Sequence, residues 1–423
     1  MSAAPTPASP AQDASSTGTT TPSATPRVAL LLIALAIALT SLNLRTAITS
    51  VGPLLDEVTQ GLGMSAVGAG ILTTLPVLCF ACFGGITPTL GRRLGSHHLL
   101  VYALAAVTLG LTARAFAPDT WSFLALSVIA LAGGAVGNVI LPVLVKQHFP
   151  HRVGLMTTVY TTGLATGTAI AAASTVPLEQ STGEWRFALG AYALFGLVAL
   201  LPWLLVLRHE PSVGGGGVTM GVRQVLSTGL GRQGVLFFGT QSSIAYIMFG
   251  WYAQMLRDQG MDAQSAGVML AYLTILGIPM SLVLPSLIVR VRDQRPFVVM
   301  FALAYTIGIC GLLFSPLAGT WVWTTFIGFA LGTFVLALTI FTVRTRTAEG
   351  TAAMSATSQS LGYLLGGAGP FLFGLLHDLT DGWYAPLFLV LTLVAINLVT
   401  GLLVGRPQYL EDAIEKKAER ARA

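Results

Sequence analysis

Charge is what this sequence has least of. Only 9% of its 423 residues are Asp, Glu, Lys or Arg, against about 25% in soluble domains, so an ordinary water-exposed globular surface is excluded. Acids are absent where they would matter most. All 17 Asp and Glu fall between or beyond the apolar runs, and none falls within one. That excludes the paired carboxylates or metal cluster of an intramembrane enzyme. It also removes the buried carboxylate that usually couples a transporter to protons. Cysteine is confined to Cys79, Cys82 and Cys310. The Cys79–Cys82 spacing has the form of a redox or metal motif, but within an apolar run the pair reads as small core residues. No basic patch is interleaved with aromatics, so the net charge of +5 says nothing for nucleic acid. Apart from that spacing no cofactor or metal motif is present, and no segment outside the apolar runs is long enough for a folded soluble domain. The chain reads as a non-enzyme.

What is there is hydrophobic sequence, 54% of the chain. It is grouped into twelve runs at about 28–50, 64–86, 99–117, 121–144, 153–176, 187–207, 233–256, 264–288, 296–316, 320–343, 352–376 and 383–405. Runs of this length cross a bilayer, and with no water to satisfy the backbone they must be helices. The fold class expected is therefore all-α, a polytopic membrane protein of twelve spans. Lys and Arg bookkeeping orients it. With the N-terminus inside, 18 of the 22 Lys and Arg lie on the cytoplasmic side and three (Arg114, Arg186, Arg257) on the outer side, with Arg45 inside a span. Both termini are expected in the cytoplasm, and the host membrane is expected to be the plasma membrane. Residues 1–26, rich in Ser, Thr, Pro and Ala, read as a disordered tail. Segment 209–232, with Gly214–Gly217, reads as a flexible linker between six-helix bundles at 27–208 and 233–405. Residues 406–423 read as a second tail, carrying a short surface helix from Tyr409.

An internal repeat supports two halves. Gly63–Gly70 (GMSAVGAG) aligns with Gly260–Gly267 (GMDAQSAG) at an offset of 197, five of eight positions matching, and the same offset carries Pro88 onto Pro285 and Arg93 onto Arg290. At 199, Gly133, Gly163 and Gly167 fall on Gly332, Gly362 and Gly366.

Arg45 is the residue that stands out. It lies roughly 25 Å along the first helix from Val28, beyond the midplane of a core about 30 Å thick. A guanidinium there costs at least ~2.5–3.5 kcal/mol unless it meets water, a partner or a ligand. A snorkelling arginine is the alternative, and for Arg114, in the last turn of the third span, snorkelling is the direct explanation. Polar side chains that could surround Arg45 are Asn43 in span one, Asn138 in span four, Tyr160 in span five, Gln241 in span seven, and Gln359 and Tyr363 in span eleven. Amide, hydroxyl and phenol groups around one guanidinium suit a small anion or a planar polar molecule. For any single Ser or Thr, interhelical hydrogen bonding is the competing role. Pro53, Pro76, Pro142, Pro279 and Pro370 are expected to kink or end helices.

The loop after span two, Gly84-Gly85-Ile86-Thr87-Pro88-Thr89-Leu90-Gly91-Arg92-Arg93-Leu94-Gly95, resembles a degenerate signature loop of the major facilitator superfamily. Arg92 and Arg93 keep its basic pair, while Pro88 stands where the signature has an acid. Asn43-Leu44-Arg45, Asn138-Val139-Ile140-Leu141-Pro142 leading to Lys146-Gln147-His148-Phe149-Pro150, Tyr160, Trp185-Arg186, Gln359-Ser360-Leu361-Gly362-Tyr363, Gly369-Pro370 and His377-Asp378 are similar to the cyanate/2-nitroimidazole transporter (CynX/NimT) branch. The resemblance runs from residue 28 to 405 outside the linker. It implies two pseudo-symmetric six-helix halves with a solute site between them near the midplane, a gating role for Arg92 and Arg93, and transport of a small anionic or polar solute by alternating access. A monomer touching lipid and one small-molecule solute is expected, with no cofactor. A proton-driven exporter of organic compounds is the alternative within the superfamily; a membrane enzyme or a channel is more remote.

Overall fold

The computed structural model describes residues 27–206 and 220–422. Segment 1–26 and the run Gly214–Gly217 lie outside the described residues. Among those described, all regular structure is helical. Span one is built from α1 (Arg27–Asn43), α2 (Thr46–Thr49), a 3-10 turn (Gly52–Leu54) and α3 (Leu55–Leu62). Spans two to five are single helices: α4 (Ala66–Leu94), α5 (Ser96–Arg114), α6 (Thr120–His148) and α7 (Val153–Thr182). Span six is α8 (Trp185–Ala191) with α9 (Ala193–Val206). The second half opens with a short α10 (Val222–Ser227) and continues with α11 (Gly229–Asp258) as span seven. Span eight is α12 (Ala263–Ile275) with α13 (Gly277–Arg290), and span nine is α14 (Arg295–Phe314). Span ten is α15 (Thr320–Ala330) with α16 (Thr333–Val343), and span eleven is α17 (Ala348–Gly366) with α18 (Ala368–Thr380). Span twelve is α19 (Tyr384–Val404), followed by α20 (Leu410–Arg422).

Nine of these stretches are long and apolar enough to cross a membrane. The other three, α7, α11 and α17–α18, carry the polar residues of the interior. α11 is enclosed by protein along most of its length, from Leu230 to Leu256, so it has little need of an apolar exterior. At 30 residues it is about 45 Å long, longer than the apolar run that marks it, and it starts at Gly229, inside the segment read as linker.

The helix breaks have local causes. A proline cannot donate the N–H that the carbonyl four residues earlier requires. α12 stops at Ile275, four before Pro279, and α17 stops at Gly366, four before Pro370. Pro76 and Pro142, by contrast, lie within continuous helices. The repeat is visible as geometry. Gly63 closes α3 at φ 59° and Gly260 closes the matching turn at φ 104°, a region open to glycine. Two residues on, Ser65 caps α4 by accepting from the Gly68 N–H, and Asp262 caps α12 by accepting from the Ser265 N–H. The two helices begin at Ala66 and Ala263, again 197 apart. The glycines of α7 and α17 also play matching parts: Gly163 and Gly167 press on Ser41 and Leu42 of α1, and Gly362 and Gly366 press on Gly239 of α11.

The halves meet where α4 packs on α17 and α18, and where α7 packs on α12 and α13. We call the face from which α1 starts and at which α19 ends the terminal face. The C-terminal segment is docked there. Leu410 is fully buried, the Glu411 carboxylate accepts from the Arg346 and Thr347 N–H groups at 3.0 and 3.1 Å, and Arg346 pairs with Asp412 at 2.8 Å. The Arg346 guanidinium holds the Asp412 carboxyl below its ordinary range.

Candidate functional site

Span one breaks at Arg45. The Thr46 hydroxyl donates to both the carbonyl and the side-chain oxygen of Asn43, each at 2.9 Å, a local alternative to the helical ladder. Leu44 and Arg45 form the turn, and the Arg45 carbonyl accepts from the N–H groups of Ile48 and Thr49 as α2 begins. The break turns the guanidinium into a cavity of about 500 Å³ between the halves. Arg45 Cζ lies 5.9 Å from the centroids of both the Phe249 and the Phe334 rings. Its Nε is buried and without a partner. Among the described residues no carboxylate pairs with Arg45.

The cavity wall mixes hydroxyls with apolar groups. Thr157, Thr161 and Thr168 come from α7; Gln241, Ser242 and Tyr246 from α11; Thr274 and Ser281 from α12 and α13; Tyr363 from α17. No Asp, Glu or His is among its lining residues. Tyr160, Tyr246 and Tyr363 all lie within electrostatic reach of the Arg45 charge. The cavity reaches the terminal-face ends of α7, α13 and α16 at Thr157, Val289 and Thr342, so it opens toward that face. A larger recess of about 1020 Å³ lies along α14 and α15; it is walled mostly by apolar groups such as the half-exposed Val299, Met300 and Leu303, and its Asp293 and Arg295 pair with each other.

The opposite face is shut. Arg257, at the end of α11, donates to Glu57 Oε2 at 2.9 Å and Oε1 at 2.8 Å, and to the Pro53 carbonyl at 2.9 Å; Asp56 lies at 3.8 Å. Trp251 Nε1 donates to Thr73 Oγ1 at 3.1 Å. Each contact joins one half to the other. Behind them His377 stacks on Trp383 with ring centroids 3.9 Å apart, and its Nε2 stands 3.9 Å from Asp258.

Of the residues expected at the site, Arg45, Gln241 and Tyr363 line the cavity. Tyr160 and Asn138 are brought together, the phenol donating to Asn138 Oδ1 at 2.8 Å, as a bonded pair beside the cavity wall. Two others stand away from the cavity wall. Asn43 turns away, its amide nitrogen against Gly196 of α9, because its side-chain oxygen is used by Thr46 at the break. Gln359 donates to Ser355 on its own helix at 2.6 Å, and the cavity wall does not include it. Arg92 and Arg93 fall in the last turn of α4, with Arg93 exposed. Arg114 does not snorkel; it is 1% exposed. His97 is buried in the first turn of α5, and His377 lies within α18.

Phe249 and Phe334 were not anticipated. Phe249 had a signal, since it lies two helical turns from Gln241 on the same face of α11; Phe334 had none.

Comparison with known proteins places this geometry. The Major Facilitator Superfamily profile matches residues 31–370. The 2-nitroimidazole transporter of Escherichia coli (strain K12) is 33% identical over 370 residues, 87% of this chain and 94% of that protein. The cyanate transport protein CynX of the same organism is 25% identical over 368 residues, 86% and 95% of the two chains. Among solved structures, a bacterial homologue of the human lysosomal transporter Spinster, in its inward-facing and unoccupied conformation, superposes with a TM-score of 0.75 at 15% identity, over 92% of this chain and 99% of that one.

Proposed function

The chain belongs to the major facilitator superfamily, in its cyanate/2-nitroimidazole branch, and on that premise we propose that it moves a small anionic or planar polar solute by alternating access, with Arg45 as the binding cation. It is a multi-pass membrane transporter of small solutes. The observation that carries the finer reading is the unpaired Arg45 guanidinium in a cavity with no carboxylate. A half-buried cation without a counter-charge favours an anion or a strong dipole, and its planar fork suits two acceptor atoms at once. Phe249 and Phe334 beside it offer ring faces to a flat solute, while Gln241 and Tyr363 add polar contacts.

On the Lys and Arg distribution the terminal face is cytoplasmic and the open state is the inward-facing one, in the plasma membrane. Solute released there would be replaced from outside only after the Arg257–Glu57 contact parts and the terminal ends of α7, α13 and α16 close. With no titratable carboxylate or histidine in the cavity wall, movement follows the solute gradient, or exchange, or protons carried on the solute.

The test is uptake of cyanate and of nitroimidazoles into proteoliposomes under imposed pH and voltage gradients. Arg45→Gln should cut transport by about 10²-fold, the scale of a lost charge-assisted contact, with normal expression and insertion. Arg45→Lys should rescue poorly for want of the fork. Normal transport by Arg45→Gln refutes the anion site. Sidedness has its own check. Cysteines at Ser181 and Asp381 should label from outside with an impermeant reagent, and those at Gly215 and Ala348 only after the membrane is opened; the reverse pattern inverts the orientation.

A further inference from the structure

Arg114 is a guanidinium buried more deeply than Arg45, and the transport reading does not use it. It ends α5 yet is only 1% exposed. Its Nη1 donates to the Ala47 carbonyl at 3.2 Å and its Nη2 to the Ser50 hydroxyl at 3.3 Å, both just past the break in span one. Nε has no partner. Among the described residues no carboxylate pairs with this side chain. The Phe123 ring, 5.9 Å from Cζ, covers one side.

A small cavity of about 20 Å³ adjoins Arg114 on the closed side of the interface, walled also by Ser127 of α6, Tyr246 of α11 and Thr73 of α4. The hydroxyls of Ser127 and Tyr246 are buried and have no hydrogen-bond partner. Thr73 is already engaged, donating to carbonyls of its own helix and accepting from Trp251. Arg114, Ser127 and Tyr246, each with a buried polar atom that lacks a partner, are therefore among the residues around a space that holds one water-sized body. A water would answer the hydrogen bonds and leave the charge uncompensated in a low-dielectric setting, which is the costly arrangement. A monovalent anion answers both.

We propose that this cavity binds a halide-sized monovalent anion between Arg114, Ser127 and Tyr246. Arg114 and Ser127 belong to the first half and Tyr246 to the second, so the bound anion ties the halves together on the side opposite the opening. Tyr246 also lines the central cavity, which puts the two sites on either side of one ring. The proposal rests on the transporter reading only in taking this interface as the one that parts, and its test does not use transport.

The purified full-length protein is unfolded thermally in sodium chloride, bromide and gluconate at equal ionic strength, and crystals are grown in bromide. Chloride and bromide should each raise the melting temperature saturably over gluconate, and the crystals should show an anomalous peak in this cavity. Arg45→Gln should keep the halide response, while Ser127→Ala should weaken the apparent halide affinity at least fivefold. Ser127→Ala removes one hydroxyl and leaves the Arg114 contacts to α2, so it remains informative where Arg114→Gln fails to fold. Identical curves in the three salts, a lone water with no anomalous peak, or a halide response lost in Arg45→Gln and kept in Ser127→Ala would each overturn the proposal. A fourth arm in sodium cyanate separates sources: a Ser127-dependent shift with cyanate and none with halide assigns the cavity to the transported solute and overturns the halide assignment.

Discussion

The two ends of the interface between the halves are built from different chemistry. At the closed end a guanidinium grips a carboxylate and a backbone carbonyl across the divide, an indole reaches a threonine, and backbone packs against glycine. At the open end the facing groups are the threonines and aliphatic side chains of α7, α13 and α16, and several of those hydroxyls are satisfied within their own helix, as Thr161 and Thr339 are. The closed end thus has interactions that must be broken to open it, while the open end has little to lose when it shuts. On the proposed reading, a solute that drew the halves together around Arg45 would work against the first and meet little resistance from the second.

Three substitutions would break or sharpen that contrast. The largest effect is expected from Gly267→Leu. A Cβ at this position would lie 2.8 Å from the Ala172 carbonyl oxygen, and backbone cannot give way as a side-chain tip would. The closed end should then fail to close, and a cysteine at Thr73 should label from that face nearly to completion where the otherwise unaltered protein labels slowly. Unchanged labelling would show that α7 and α12 can part without opening the path. Arg257→Gln should act in the same direction and more weakly. The Arg257 and Glu57 side chains are still 17% and 26% exposed, so water screens the pair in part, and labelling at Thr73 should quicken less than with Gly267→Leu. An equal response to Glu57→Gln would identify the pair as the latch; a null response to both would assign closure to packing. The smallest effect is expected from Thr339→Val on the open side. Its hydroxyl already donates to the Val335 carbonyl at 2.8 Å, so the labelling rate should move less than about twofold. A larger shift would mean that Thr339 meets a partner across the divide when that end closes.

The legible residues were those whose chemistry is anomalous where they sit. A charged Arg45 and an amide Gln241 inside apolar runs announce themselves, as do prolines and the left-handed glycines Gly63 and Gly260. Asn43 and Gln359 are polar in the same way, but a helix offers several faces, and sequence does not say which face the cavity takes. Arg114 misled for a related reason: a position in a last helical turn is ordinarily wet, and only the packing of α2 and Phe123 over it makes it dry. Phenylalanine in a membrane helix carries no signal at all, so Phe334 could not be singled out. The pairing of Arg257 with Glu57 spans 200 residues, and nothing local links them.

By itself the sequence determined the class, the number of spans, the two-fold repeat and the presence of an uncompensated cation in span one. These follow from local rules: apolar length against bilayer thickness, backbone hydrogen bonding in the absence of water, and the cost of charge at depth. The tertiary structure alone decided which polar groups share the cavity with Arg45, which end of the interface is shut, and that Arg114 is a dry cation near Tyr246. Those outcomes depend on how one helix covers another, and burial between two halves is a property of the pair that neither strand of sequence contains.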